Sequence, residues 1–269
     1  MAGSQRLLLI LLVIAGLSFS VNVSSPVEMD VQEGDIIDLG TIGPGQTIDI
    51  KIDPVVTEGG LRGQGGYYDM AIASRLPDDW TSEKSKLYGR PLQVTITAPP
   101  DAPEGDYSAK ITVIDEMNGE KLGNITFTAW IHVTWDVLDV DIEPERQKVG
   151  PEQPARYSIT VWNKGAASDV FQITATGSKR FELNKSVFVP PNSARTINYV
   201  ISGKEEETYE SDIRVVSLAS KNIHKEGKIS LTIEPNLLSD YKATNHGVMV
   251  FPIFEALIHG FAGLLSNFY

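Results

Sequence analysis

The chain is 269 residues long, enough for two ordinary domains that each bury a core of their own. Its formal charge of −12 and pI near 4.8 argue against nucleic acid as a partner, because phosphate binding needs a basic face and no Lys/Arg cluster occurs. Cysteine is absent, which removes disulfides, thiolate metal sites and cysteine nucleophiles.

The N-terminus opens with "MAGSQR", carrying Arg6, and continues as the compact apolar run "LLLILLVIAGLSF". Ser18 and Ser20 supply the small residues that a cut after Ser20 requires. This is the three-part layout of a secretory signal over residues 1–20, with an uncleaved signal anchor as the alternative. Either way the rest of the chain is expected outside the cytoplasm.

From Val27 to Glu234 apolar and polar residues alternate, and Gly, Pro and Asn punctuate the runs. In "QTIDIKID" Ile48, Ile50 and Ile52 oppose Asp49, Lys51 and Asp53. "PLQVTITAPP" repeats the pattern with Leu92, Val94 and Ile96, and a longer strand aligns Phe127, Ala129, Ile131, Val133 and Trp135. Alternation of this kind predicts antiparallel sheets with one buried and one wet face. An Asn118-Gly119 pair suits a tight type I′ hairpin. The five glycines between 59 and 66 exclude a packed strand and predict a flexible insertion, with a ligand-wrapping loop as the alternative.

"WDVLDVDIEP" marks the boundary between a first sandwich, 26–137, and a second, 138–236. Because it is short and strand-like, the two are expected to be closely coupled. The second carries a cleaner series: "ARYSITVWNKG", "SDVFQITATG", "ARTINYVISG", "DIRVVSLAS" and "GKISLTIEP". Short strands separated by turn signals predict a β-sandwich.

Three elements of this second part carry a resemblance: a Tyr-x-Ile-x-Val strand, the Asn163–Gly165 turn, and the Val189–Asn192 run that leads into another strand. Together they resemble the CARDB-like and related immunoglobulin-like domains of archaeal and bacterial cell-surface proteins. The resemblance covers about 138–236, and "APEGDYSAKITVID" echoes it in the first part. It implies an all-β chain of two tandem immunoglobulin-like β-sandwiches and a role in adhesion, spacing or assembly. It brings no catalytic residues with it.

The residues themselves point the same way. The four histidines, His132, His224, His246 and His259, form no HExxH or HxH pair. No nucleophile elbow or phosphate-cradling glycine loop appears, so neither an enzyme nor a cofactor is expected. Asp101, Glu104 and Asp106 in one turn, and Asp78 and Asp79 in another, read as solvated turn residues, with calcium ligation as the alternative. Trp130 and Trp162 fall opposite their strands' apolar rows and are the candidate ligand-facing aromatics, for an interface first and a glycan second. Three glycosylation sequons stand at Asn22, Asn124 and Asn184.

Residues 237–269 close the chain with "GVMVFPIFEALIHGFAGLLSNFY". Pro252 suits the first turn of a helix whose apolar residues cover most of its circumference. Glu255 and His259 lie four apart on a narrow polar stripe, and Gly260 and Gly263 permit close backbone approach. Such a helix is predicted to attach the protein to the membrane, to an envelope partner or to a second copy of the chain. Three functions are therefore weighed: an envelope assembly or adhesion protein, an extracellular carbohydrate-binding or accessory module, and a membrane-embedded metal or proton site at Glu255 and His259.

Overall fold

A computed structural model describes residues 20–116, 118–177 and 182–234. The signal segment and the apolar attachment segment, with Glu255, His259, Gly260 and Gly263, lie outside the described residues. Every regular element among the described residues is a strand.

The first sandwich comprises β1 (Val21–Ser25), β2 (Met29–Val31), β3 (Ile36–Ile42), β4 (Thr47–Ile52), β5 (Val55–Val56), β6 (Gly66–Tyr67), β7 (Met70–Ser74), β8 (Thr81–Glu83), β9 (Leu92–Thr97), β10 (Gly105–Ile114) and β11 (Ile125–Val133). One sheet runs β2-β1-β4-β9-β8 and the facing sheet β3-β11-β10-β7. The isoleucine row of β4 pairs with the apolar row of β9 in register, Ile48 with Ile96, Ile50 with Val94 and Ile52 with Leu92. All six are fully buried, and each such side chain contributes roughly 1.5–3 kcal/mol. The sandwich reaches back ahead of residue 26, because Val21 and Val23 in β1 belong to its core and β1 pairs with β4.

The second sandwich is built from β12 (Leu138–Glu143), β13 (Arg146–Val149), β14 (Ala155–Asn163), β15 (Asp169–Thr176), β16 (Leu183–Val189), β17 (Ser193–Ile201), β18 (Thr208–Ser217) and β19 (His224–Ile233). Its sheets run β12-β14-β17 and β13-β19-β18-β15-β16. The core centres on Tyr157, Ile159, Val161, Phe171, Ile173, Ile213 and Val215. Burial lifts the Tyr157 hydroxyl to a pKa of about 12, and it donates to the carbonyl of Ser230 at 2.9 Å. Both sandwiches share one topological device. An early strand pairs parallel with the last, β3 with β11 and β13 with β19, while the strand before it joins the opposite sheet. This strand order is immunoglobulin-like.

Three local expectations are corrected. Residues 115–116 and 118–124 lie outside the ladder rather than in a two-residue hairpin: the Asp115 carboxylate accepts from the amides of Leu122 and Gly123, and Asn118 Oδ1 accepts from the amide of Glu120. These side-chain acceptors replace the ladder that a tight turn would have continued. The glycine-rich insertion is pinned rather than loose. It folds back through β5 and β6, and the Leu61 amide donates to the Glu120 carbonyl at 2.7 Å. Trp135 leaves the apolar row because β11 ends at Val133; its side chain is exposed and its amide donates to Glu104 Oε1 at 2.9 Å.

The two sandwiches meet at a sealed junction. Gln46, almost fully buried, accepts from the Gly43 amide at 2.7 Å and donates to Asp169 Oδ2 at 2.7 Å. The same Asp169 oxygen accepts from Ser217 Oγ at 2.7 Å. The Ala166 amide donates to the Thr41 carbonyl, Ser220 Oγ donates to the Pro100 carbonyl, and Ala167 packs into the core of the first sandwich. Gly45 is required here, because at φ +72° a Cβ would strike the Ala219 carbonyl, while one at Gly43 would push on the Ile223 and Val137 side chains. Replacing Gln46 by Ala strands the Gly43 amide and removes one partner of Asp169, at a cost of about 1–3 kcal/mol. Calorimetry is expected to show one unfolding transition for the native chain and two for Gln46→Ala; two transitions in the native chain would refute the coupling.

Candidate interaction surfaces

The outer face of β10 and β11 follows directly from alternation. With Phe127, Ala129, Ile131 and Val133 turned inward, Thr126, Thr128, Trp130 and His132 must face outward. Trp130 sits opposite Ser108 of β10 and Asp38 of β3 and is 42% exposed. His132 lies opposite Asp106, and its Nδ1 is 2.7 Å from Asp106 Oδ1. At the end of this face Glu104 Oε1 accepts from Thr134 Oγ1 at 2.6 Å and from the Trp135 amide. These two bonds, the Thr134 bond first, hold the Glu104 carboxyl below the usual carboxylate range.

The acidic turn is thus engaged by the protein itself. Glu104 ties the start of β10 to the linker, and Asp106 ties to His132. Asp78, Asp79 and Asp101 line an open cleft in which Trp80 packs on Tyr107, with ring centroids 5.1 Å apart. Among the described residues no group of three or more His, Asp or Glu side chains is placed to hold a metal ion.

Trp162 occupies the outer face of β14 between Asp139 and Ala194 and is 50% exposed. The two tryptophans therefore stand on different sandwiches. Asn163, next in the chain, is buried. Its Nδ2 donates to the carbonyls of Ala167, Val189 and Pro190 while its Oδ1 accepts from the Gly165 amide. This side chain, with the Asn192 amide donating to the Gly165 carbonyl, holds the Asn-Lys-Gly turn and the Val-Pro-Pro-Asn run together. Of the sequon residues, Asn124 and Asn184 are exposed, whereas Asn22 lies within β1 and donates to Asp30 Oδ1 at 2.9 Å. Asn124 Oδ1 accepts from the Asp115 amide.

Sequence reasoning did not find a further cavity on the first sandwich. Tyr67 and Tyr68 end the glycine-rich insertion, Tyr88 and Arg90 come from the loop before β9, and Asn118 and Glu120 come from the connection between β10 and β11. Asn118 Nδ2 donates to the Tyr67 carbonyl at 2.5 Å, and the Arg90 guanidinium lies 4.4 Å from the centre of the Tyr67 ring. The only sequence signal was the doubled tyrosine at 67–68, set among glycines.

No protein-family model matches the chain, and no curated protein matches it. Solved structures do resemble it. Chimeric titin Z1Z2 is 10% identical, with 82% of this chain and 100% of that one covered at a TM-score of 0.38. Fibronectin(III)-like modules from Clostridium thermocellum are 13% identical, covering 80% and 94% at 0.27. A CARDB domain from Pyrococcus furiosus, solved in complex with di-metal ions, is 22% identical and covers 36% and 94% at 0.28. A CARDB domain and fibronectin(III)-like modules are thus among the structures similar to this all-β chain; its own strand order defines the sandwiches.

Two measurements test these surfaces. Trp130→Ala and Trp162→Ala are each expected to cost less than about 1 kcal/mol in denaturant unfolding, as for other exposed positions; a loss comparable to a core truncation would place the rings in a packed contact. Thr134→Val is expected to raise the Glu104 pKa toward the ordinary carboxylate value in an NMR titration. Because the native pKa is lowered, this carboxylate supports the fold above its unfolded pKa, and that support fades as pH falls through the folded value. No upward shift in Thr134→Val would show that the hydroxyl is not the cause.

Proposed function

We propose that the chain is an exported, non-enzymatic protein of the cell envelope, which presents two rigidly joined immunoglobulin-like sandwiches for assembly or adhesion. The observation that carries this reading is the buried Gln46–Asp169–Ser217 junction, which couples the two sandwiches while leaving Trp130, Trp135 and Trp162 exposed for contact. Rigid coupling suits a spacer or scaffold, because a fixed shape lowers the entropy cost of docking a partner. Export is supported by the N-terminal signal pattern. A chain that resumes as β1 at Val21, immediately after the expected cut, suits that reading. Surface glycans would fall on Asn124 and Asn184.

Attachment is assigned to the apolar C-terminal segment, whose polar stripe of Glu255 and His259 would face an envelope protein or a second copy. Among the described residues each sandwich already buries a core of its own before Pro235, which supports an attachment role for the segment. Deleting 247–269 is expected to leave both sandwiches folded by circular dichroism and to move the protein from the membrane to the soluble fraction. Replacing Glu255 or His259 singly is expected to weaken attachment more than replacing both with leucine, since a single change strands one buried polar group. A truncated, signal-cleaved protein that stays with the membrane, or that unfolds, would overturn the reading.

A further inference from the structure

The tyrosine cavity on the first sandwich has features that packing alone does not require. It encloses about 210 Å³ and draws its walls from three separate loops. Drug-sized pockets start near about 300 Å³, so the space suits a single ring with the remainder of a molecule outside. Tyr67 and Tyr88 present rings that are 42% and 54% exposed. Tyr88 holds a φ of +56°, a left-handed conformation uncommon for a bulky residue and most often kept where the side chain's position has a use.

Tyr68 lines the same cavity and is 1% exposed, and its hydroxyl meets no hydrogen-bond partner. Burial, with the nearby charge of Asp115, raises its pKa to about 12, so it carries its proton at any physiological pH. Asp115 Oδ1 is likewise buried and without a partner. Both atoms are shut off from solvent behind the wall, where an unpaired polar group costs stability.

The surrounding charge selects the occupant. Arg90 and Glu120 balance each other, and the guanidinium already faces the Tyr67 ring. An anion would meet Glu120, and a cation would meet Arg90. A purely apolar molecule would cover part of Arg90 and Glu120 with nothing polar to meet them. A neutral ring with hydroxyls at its edge and C–H groups on its face meets every condition, because hydroxyls both donate and accept while the C–H face stacks on tyrosine.

We propose that the cavity framed by Tyr67, Tyr68, Tyr88, Arg90, Asn118 and Glu120 binds one pyranose ring of a saccharide. The site is separate from Trp130 and Trp162 and does not depend on membrane attachment.

The test uses the full chain, purified in detergent from a host that does not glycosylate, so that its own sequons carry no competing sugar. It is titrated by calorimetry and ligand-observed NMR with methyl glycosides of glucose, galactose, mannose and N-acetylglucosamine, and with inorganic phosphate and a capped alanine peptide. At least one glycoside is expected to bind, and phosphate and peptide are not. Tyr88→Asn, which keeps a residue tolerant of positive φ and removes the ring, is expected to weaken binding by about tenfold. Tyr68→Phe, which keeps the ring packing and deletes a hydroxyl shut off from the cavity, is expected to leave binding unchanged. Trp130→Ala is expected to leave it unchanged. Competition by a free oligosaccharide, or only by the same sugar on a glycopeptide, separates a polysaccharide from a glycoprotein as the source, and either supports the site. Binding by none of the glycosides overturns the proposal. So does binding of phosphate or peptide through these residues, survival of sugar binding in Tyr88→Asn, or its loss in Trp130→Ala instead.

Discussion

The carboxylate of Asp169 is the point on which the arrangement of the two sandwiches turns. One of its oxygens receives hydrogen bonds from Gln46 of the first sandwich and Ser217 of the second, in a place that solvent barely reaches. A buried acceptor with two donors from different bodies fixes their orientation more tightly than apolar contact does, because hydrogen bonds are directional and a misaligned buried group is costly. Gln46 is fixed in turn by the Gly43 amide, and Gly43 and Gly45 allow the backbones of the two sandwiches to approach. The ion pairs of Asp136 with Lys164 and Lys225, at 2.9 and 3.6 Å, lie exposed beside this centre and add little by comparison.

A rigid pair of sandwiches changes what the surface can do. Trp130 and Trp162 stand exposed on different sandwiches, and the buried hydrogen bonds of the junction join the two bodies that carry them. The tyrosine cavity belongs to the first sandwich alone and is built on loops that the glycine-rich insertion closes. Shape for partners and a pocket for a small ring can therefore coexist without sharing residues.

The sequence was informative where a residue's environment is set by its own strand. The isoleucines of β4, the partner row of β9 and the outward turn of Trp130 and Trp162 follow from a period of two, and the structure places all of them so. It was uninformative where the deciding partner is remote in the chain. Gln46 follows a Gly-Pro-Gly turn and carries no apolar signal of its own, and its partner Asp169 lies 123 residues away. Residues of β16 alternate poorly, since Asn184, Lys185 and Ser186 are all exposed on an edge strand, so the strand is visible only through its pairing with β15. The connection between β10 and β11 looked like a hairpin because Asn-Gly is a strong local signal, but Asp115 supplies longer-range acceptors that outweigh it.

The parallel pairing of an early strand with the last one has a mechanical consequence. In the second sandwich β13 enters and β19 leaves side by side in the same direction, joined from the Ser230 amide on Glu145 to the Glu234 amide on Val149. The first sandwich repeats this between β3 and β11, from the Thr128 amide on Asp35 to the Thr134 amide on Ile42. Tension applied along the chain would pull the two strands of each pair in opposite senses, loading all their hydrogen bonds together in shear instead of opening them one at a time. A chain tethered at one end and gripped by a partner at the other would then resist stretching through two such clamps in series.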